Sequence, residues 1–147
     1  MPNKPLNLEP LDQALHALKQ SIDITTQFSN DPSTTIAHKA TLQAGVIQHF
    51  EFCYELSWKI LKRYLSLETP APELIDTMSF QELIREGAQK GVIKNAEKWL
   101  SYRHKRNMTS HTYHAETAAI VYKTTLAFYQ DAFALLSKLK EKQHDQS

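Results

Sequence analysis

The fold follows from a long apolar stretch in the first half of the chain, where residues 44–67 read AGVIQHFEFCYELSWKILKRYLSL. Apolar or small side chains recur there every three or four residues, which is the spacing of one face of an α-helix. That face comprises Val46, Phe50, Cys53, Ser57, Ile60 and Tyr64. Phe52, Leu56 and Trp58 widen the apolar surface beyond one stripe. We therefore expect a central helix, from about Thr34 to Leu67, with neighbours on more than one side.

The other segments also predict helices, and none shows the sustained alternation of a β-strand. An N-terminal helix has a core-facing stripe at Leu8, Leu11, Leu15, Leu18 and Ile22. A short helix begins at the capping box of Ser79 and Glu82 and ends near Gly91. Another begins near Asn95 and weakens over residues 107–110. The last runs from about Glu116 to Lys142, with a predicted core face at Tyr122, Leu126, Tyr129, Phe133 and Leu136.

These helices predict one all-α domain over residues 1–147. Its architecture is an antiparallel four-helix up-and-down bundle with one additional short helix. The residues after Leu139 are polar, and we expect this tail to fray from about residue 140.

The composition argues against several classes of protein. With 17 Lys and Arg against 16 Asp and Glu, the net charge of +1 does not suit a protein that coats DNA, although a local basic patch remains possible. No run of about 18 apolar residues occurs, so we expect no membrane span. The three glycines are too dispersed for a P-loop or a Rossmann phosphate turn. Cys53 is the single cysteine, so no internal disulfide forms and we expect a cytoplasmic protein.

Basic residues, histidines and tyrosines are concentrated in residues 99–114, WLSYRHKRNMTSHTYH. The forked, permanently charged Arg106 can hold a phosphate, and His111 can move a proton near neutral pH. On a continuous helix these positions point about 140° apart, but the poor helix formers at 107–110 allow the chain to bend so that they converge. Such a pair suffices for metal-free RNA cleavage by the 2′-hydroxyl. The alternative is a solvated basic helix end that merely favours the helix dipole.

The segment resembles the motif of the HEPN domain family, helical bundles in which histidine follows arginine after four to six residues. Here the motif reads R-x-x-x-x-H-x-Y, from Arg106 through His111 to Tyr113. Residues 50–59, FEFCYELSWK, resemble the F-E-x-x-x-E-x-x-W-K stretch of the branch called nucleotidyltransferase substrate-binding proteins. The resemblance implies a metal-independent endoribonuclease with Arg106 and His111 as catalytic residues. The expected supporting or RNA-binding residues are Arg103, Lys105, Asn107, Glu51 and Glu55.

The resemblance also implies partners. HEPN toxins work as homodimers or higher even oligomers, with two motifs facing one cleft, and their substrate is RNA. The antitoxin is a minimal nucleotidyltransferase, which in this branch transfers AMP from ATP onto the motif tyrosine, here Tyr113. The toxin itself would need no cofactor and no metal.

Several alternatives stay open. Glu51 and Glu55, one helical turn apart, could form an acid–base pair, or Glu55 could pair with Lys59, or both could orient the motif arginines. A zinc site at His104, His111 and His114 is disfavoured by the cationic side chains at positions 105 and 106. The rival function is a non-catalytic substrate-binding subunit of a nucleotidyltransferase complex, and a third is a dimerisation module.

Overall fold

The computed structural model describes residues 6–145, and this part of the chain contains helices and no strand. The six α-helices are α1 (Glu9–Ser29), α2 (Ile36–Leu67), α3 (Pro72–Asp76), α4 (Phe80–Gln89), α5 (Ala96–Met108) and α6 (Ala115–Asp145). A single 3₁₀ turn, Thr109–His111, follows α5 directly. The predicted all-α fold class is confirmed, with α3 as a further short helix that the sequence did not reveal.

Helix α1 is antiparallel to both α2 and α6. Cys53 on α2 donates its S–H to the carbonyl oxygen of Ala14 at 3.2 Å. Thr25, near the other end of α1, donates its hydroxyl to the carbonyl oxygen of Leu42 at 3.4 Å. The first turn of α1 meets the last turns of α6, where Lys140 Nζ lies 3.0 Å from a carboxylate oxygen of Asp12. Helix α2 packs against all the other α-helices, as its broad apolar surface predicts.

Aromatic rings join α2, α5 and α6 at the centre of the core. The ring of Phe128 meets those of Phe50, Tyr102 and Trp99 edge to face, with centroids 4.9, 5.3 and 5.8 Å away. Phe50 and Phe128 are fully buried, and Trp99 and Tyr102 nearly so. Edge-to-face pairs at such distances add to the free energy gained from burial alone. This cluster packs α5 against α2 and α6.

Local capping explains where several helices begin. The Thr35 hydroxyl accepts the backbone N–H of His38 at the start of α2. Ser79 and Glu82 form the predicted capping box, with reciprocal bonds of 3.0 and 3.1 Å. The Asn95 side chain accepts the N–H of Lys98 at the start of α5. Gly91, just after α4, has a φ of +82°, which other residues rarely adopt.

The inward face of α6 differs from the predicted one. Of the five residues expected in the core only Leu136 is buried, while Leu126 and Phe133 are exposed and two tyrosines are half-buried. The buried face lies about one position away, at Val121, Thr125, Phe128, Ala132, Leu135 and Leu139. Phe52 on α2 is also exposed, at 60%. The core therefore takes the stripe that includes the small residues Thr125 and Ala132, since small side chains allow packed helices to approach closely.

The chain after Leu139 is helical to Asp145, and the fraying of its last turns stays a prediction. Beyond the contact of Lys140 with Asp12, the Gln143 side chain donates a hydrogen bond to the carbonyl oxygen of Leu6. Among residues 6–145 no helix combines the length and apolar character needed to cross a membrane.

Candidate functional site

The candidate site lies where α5 gives way to the 3₁₀ turn. Helix α5 ends at Met108, and the turn Thr109–His111 changes the direction of the chain, as the poor helix formers in this segment predict. The Thr109 hydroxyl donates to the carbonyl oxygen of Arg106 at 2.7 Å and so caps the end of the helix. His111 therefore does not continue the α5 spiral from Arg106. Their convergence on one phosphate stays a prediction.

Arg106 is held from two sides. Its Nη1 donates to the Thr109 hydroxyl at 3.1 Å, and its Nε lies 3.3 Å from Glu55 Oε1 on α2. The Nε atom is buried and makes no hydrogen bond within residues 6–145, so the contact with Glu55 is one of opposite charges. The side chain of Arg106 is 33% exposed. An arginine bound in this way presents the rest of its fork in a fixed direction.

Glu55 is in turn held by Trp58, whose indole N–H donates to Oε2 at 3.0 Å. Of the alternatives open for the glutamates, the contact of Glu55 with a motif arginine is present, and among the described residues no ion pair joins Glu55 to Lys59. The Lys59 amino group lies 6.0 Å from the Trp58 ring centre instead. In the described part of the chain, no ion pair joins Glu51 to Arg106.

Arg103, one turn before Arg106, lies over the Phe80 ring at the start of α4, with 5.1 Å from its guanidinium carbon to the ring centre. Arg103, Arg106 and Asn107 line one side of a groove of about 410 Å³ between α2, α4 and α5, and Glu55 lines the other. Lys105 is half-buried and lies outside this groove. Four of the predicted site residues are thus brought together.

His111 and Tyr113 are exposed beyond the end of the groove. Tyr113 lies in the turn between the 3₁₀ segment and α6, and its side chain is 75% exposed. Its ring centre is 6.1 Å from that of His111 and 4.2 Å from that of His114. The tyrosine hydroxyl is accordingly accessible to another protein.

Two residues of the site were not predicted from the sequence. Thr109 bonds both the guanidinium and the main chain of Arg106, and Tyr54 lies buried at the floor of the groove. Burial is the largest cause that raises the pKa of Tyr54 to about 12, assisted by Glu55 and opposed by Arg103 and Arg106. Its hydroxyl therefore stays protonated at neutral pH and can donate a hydrogen bond. The sequence contained one signal for the role of Thr109, namely its position three residues after the motif arginine.

The alternative of a zinc site concerns His104, His111 and His114. Within residues 6–145, no group of three or more His, Cys, Asp or Glu side chains is arranged to hold a metal ion.

Comparison with known proteins gives consistent matches over nearly the whole chain. Residues 6–141 match the family model described as nucleotidyltransferase substrate binding protein like. A protein of Haemophilus influenzae named probable ribonuclease HepT is 39% identical over 140 residues, which cover 93% of this chain and 94% of that protein. A solved structure from Haemophilus influenzae, described as the fold of a substrate-binding domain of a nucleotidyltransferase, superimposes with a TM-score of 0.82 at 39% identity. That match covers 91% of this chain and 99% of the solved one.

Proposed function

Because this chain belongs to the nucleotidyltransferase substrate binding protein like family, we propose that it is a HEPN-type toxin, a metal-independent endoribonuclease that a partner nucleotidyltransferase silences. The observation that carries the proposal is the fixed Arg106 at the end of α5, one 3₁₀ turn before His111. The relative named probable ribonuclease HepT supports it.

The proposed reaction is an attack by the RNA on its own backbone. The 2′-oxygen bonds to phosphorus and the bond from phosphorus to the 5′-oxygen breaks, which leaves a 2′,3′-cyclic phosphate and a 5′-hydroxyl. His111 accepts the proton of the 2′-hydroxyl and delivers a proton to the departing 5′-oxygen. Arg106 stabilises the negative charge that develops on the pentavalent phosphorus.

The proposed antitoxin is a minimal nucleotidyltransferase that transfers AMP from ATP onto Tyr113. The 75% exposure of this side chain supports the proposal, because the partner must bring the α-phosphate of ATP in line with the hydroxyl. Each attached AMP would place a phosphodiester charge near the cationic end of α5. That charge would compete with RNA for the same arginines. Toxin and antitoxin would meet in the cytoplasm.

We further propose that the protein works as a homodimer or a higher even oligomer. Helix α6 supports this, since the core leaves an apolar stripe on it partly uncovered. Leu126 is 45% and Phe133 43% exposed, with Tyr129 half-buried between them. A stable interface buries at least about 1,000 Å² in total, and an uncovered apolar stripe on a long helix supplies a suitable centre for it. Light scattering at micromolar concentration should return at least twice the mass of one chain.

The decisive experiment measures RNA cleavage by wild type and two variants, each with and without a chelator. His111→Ala should slow cleavage about a hundredfold or more, the usual scale for losing an acid–base group. Arg106→Lys should slow it as well, because a point charge does not replace a bidentate fork. Chelator should change nothing. Undiminished cleavage by His111→Ala, or cleavage abolished by the chelator, would contradict the mechanism.

The second candidate is a non-catalytic subunit that presents substrate to a nucleotidyltransferase, which the description of the solved relative favours. Expression in growing cells separates the two. Toxicity that disappears in His111→Ala supports the ribonuclease. Harmless expression together with tight binding to the nucleotidyltransferase supports the subunit.

A further inference from the structure

The groove beside Arg106 extends well beyond what a single phosphate needs. It has a volume of about 410 Å³ and lies between α2, α4 and α5, open to solvent on one side. Pockets of a few hundred cubic ångströms are the size class that takes small organic ligands. The reacting phosphate would lie against the wall at Arg106, so the rest of the groove has room for another part of the substrate.

The charges that line the groove favour an anion. Lys62, Arg103 and Arg106 supply three cationic groups, and Glu55 supplies one carboxylate. The Lys62 amino group lies 3.8 Å from an oxygen of the exposed Asp76, outside the groove lining. Surface pairs of this kind contribute little free energy, so Lys62 can turn towards a bound phosphate.

The aromatic side chains favour a flat ring system. Trp58 is half-buried on one wall, and its indole plane is fixed because its N–H donates to Glu55. On the other wall Phe80 lies between the Tyr54 ring, 5.8 Å away, and the guanidinium of Arg103. Phe80 thus holds Arg103 in place. Aromatic rings and guanidinium planes are the two surfaces on which proteins stack unpaired RNA bases.

We propose that this groove is a nucleotide subsite that binds the RNA nucleotide next to the scissile phosphate. The base stacks on Trp58 and faces the Arg103 guanidinium, and the phosphate of that nucleotide contacts Lys62. Asn107 and the Tyr54 hydroxyl, which both line the groove, offer hydrogen bonds to the edge of the base. The subsite rests on the proposed ribonuclease function, and it gives that function a binding determinant separate from Arg106 and His111.

The test measures binding separately from cleavage. A fluorescein-labelled single-stranded oligonucleotide with 2′-O-methyl groups lacks the attacking hydroxyl, so its anisotropy reports affinity without turnover. Trp58→Ala should weaken binding about tenfold, the scale of one lost base stack. Lys62→Gln, a surface substitution that leaves the core intact, should reduce the salt dependence of binding by about one charge.

A matched control is Phe28→Ala. Phe28 packs on His38 at the start of α2, 20 residues and therefore about 30 Å along the helix from Trp58. The Phe28→Ala variant should bind the oligonucleotide with an affinity within about twofold of that of wild type. Circular dichroism and melting curves check that each variant folds. If Trp58→Ala does not fold, Trp58→Phe and Lys62→Gln carry the test, since phenylalanine keeps a smaller stacking surface.

Mononucleotides and inorganic phosphate identify what the groove recognises. AMP and UMP should quench the Trp58 component of the intrinsic fluorescence, which is absent in Trp58→Phe, whereas inorganic phosphate should not. Oligonucleotide affinity unchanged in both Trp58→Ala and Lys62→Gln overturns the subsite, even where wild type cleaves RNA. Quenching by AMP and UMP without any cleavage would retain nucleotide binding in the groove, but it would overturn the placement of that nucleotide beside a scissile phosphate, together with the ribonuclease. If the Trp58 fluorescence changes when the partner protein is added and does not change with any nucleotide, the groove binds a protein, and this result also overturns the proposal.

Discussion

Replacement of Thr109 by valine tests how the motif arginine is held. The Thr109 hydroxyl accepts a hydrogen bond from Arg106 Nη1 at 3.1 Å and donates one to the Arg106 carbonyl oxygen at 2.7 Å. Thr109 is 8% exposed, so water replaces neither bond fully. Valine has nearly the same shape and lacks the oxygen. The substitution therefore removes two hydrogen bonds and leaves the packing intact.

The expected magnitude follows from these two bonds. A hydrogen bond from a charged group contributes about 1.5–3 kcal/mol and a neutral one about 0.5–1.5 kcal/mol. Because the Arg106 side chain is one-third exposed, the lower ends of both ranges apply. We expect the free energy of unfolding to fall by about 2 kcal/mol, which lowers Tm by about 4–8 °C for a chain of this size. The loosened guanidinium should slow cleavage about tenfold, equivalent to about 1.4 kcal/mol of transition-state stabilisation.

The assay combines urea denaturation with single-turnover RNA cleavage, and Thr109→Ser is the matched control. Serine keeps the hydroxyl and both hydrogen bonds and loses one methyl group, which costs about 0.8 kcal/mol of burial. Both variants should therefore lose stability, and only valine should slow cleavage. Equal cleavage rates in Thr109→Val and Thr109→Ser would refute the inference that this hydroxyl positions Arg106.

Three further predictions address the modification site, the packing of α4 and the last turns of α6. Tyr113→Phe should cleave RNA like wild type and resist silencing by the partner protein with ATP and Mg²⁺. Mass spectrometry should find the AMP adduct only on wild type. An equal amount of adduct on both proteins would assign the modification to another residue. Gly87→Ala should lower Tm although alanine usually stabilises a helix, because its Cβ would lie 2.7 Å from an Ile93 side-chain carbon; a raised Tm would contradict this packing. The hydrogen bond from Lys140 lowers the pKa of Asp12, so the stabilisation that this carboxylate provides is present at neutral pH and disappears as the pH falls through that lowered value. Tm of wild type and Asp12→Asn should therefore differ at pH 7 and converge once the pH is below that value, and a gap that persists in strong acid would contradict this.

Local signals in the sequence predicted most of the fold correctly. The capping box at Ser79, the cap at Asn95 and the glycine after α4 each depend on atoms within a few residues, so their outcome does not depend on the tertiary structure. The central position of α2 followed from apolar residues on more than one of its faces. Helix α3 is not predicted because it has only five residues, too few to show a helical stripe, although it begins at Pro72 and proline is well tolerated in the first turn.

The orientation of α6 could not be predicted from spacing alone. Two stripes on this helix have helical periodicity, and the stripe with more aromatic residues was expected in the core. The stripe that contains Thr125 and Ala132 is buried instead, because small side chains allow a helix to approach its neighbours closely. The larger side chains Leu126 and Phe133 were left at the surface. Only the tertiary arrangement decides between two such stripes.

In the candidate site, too, the features that depend on neighbouring residues in the sequence could be predicted, and those that depend on the folded arrangement could not. The sequence placed Arg106 and His111 on either side of a helix end, and the structure contains that end. Spacing did not reveal that Thr109 would bond to the guanidinium, because the bond requires the 3₁₀ turn to fold back. It also did not settle which partner Glu55 has, since that depends on how α2 packs against α5.

The two blocks of sequence that carry the family resemblance are joined in the structure by one chain of contacts. The indole of Trp58 holds Glu55, Glu55 lies against Arg106, and Arg106 bonds to Thr109 at the start of the turn that carries His111. A carboxylate beside the arginine weakens its attraction for phosphate, which is a disadvantage if binding is all the groove does. The same carboxylate fixes the direction of the guanidinium before RNA arrives, so less ordering is required when the phosphorus becomes pentavalent. An arrangement that gives up affinity for orientation is expected where the phosphate is to react, and this favours cleavage over passive presentation of a substrate.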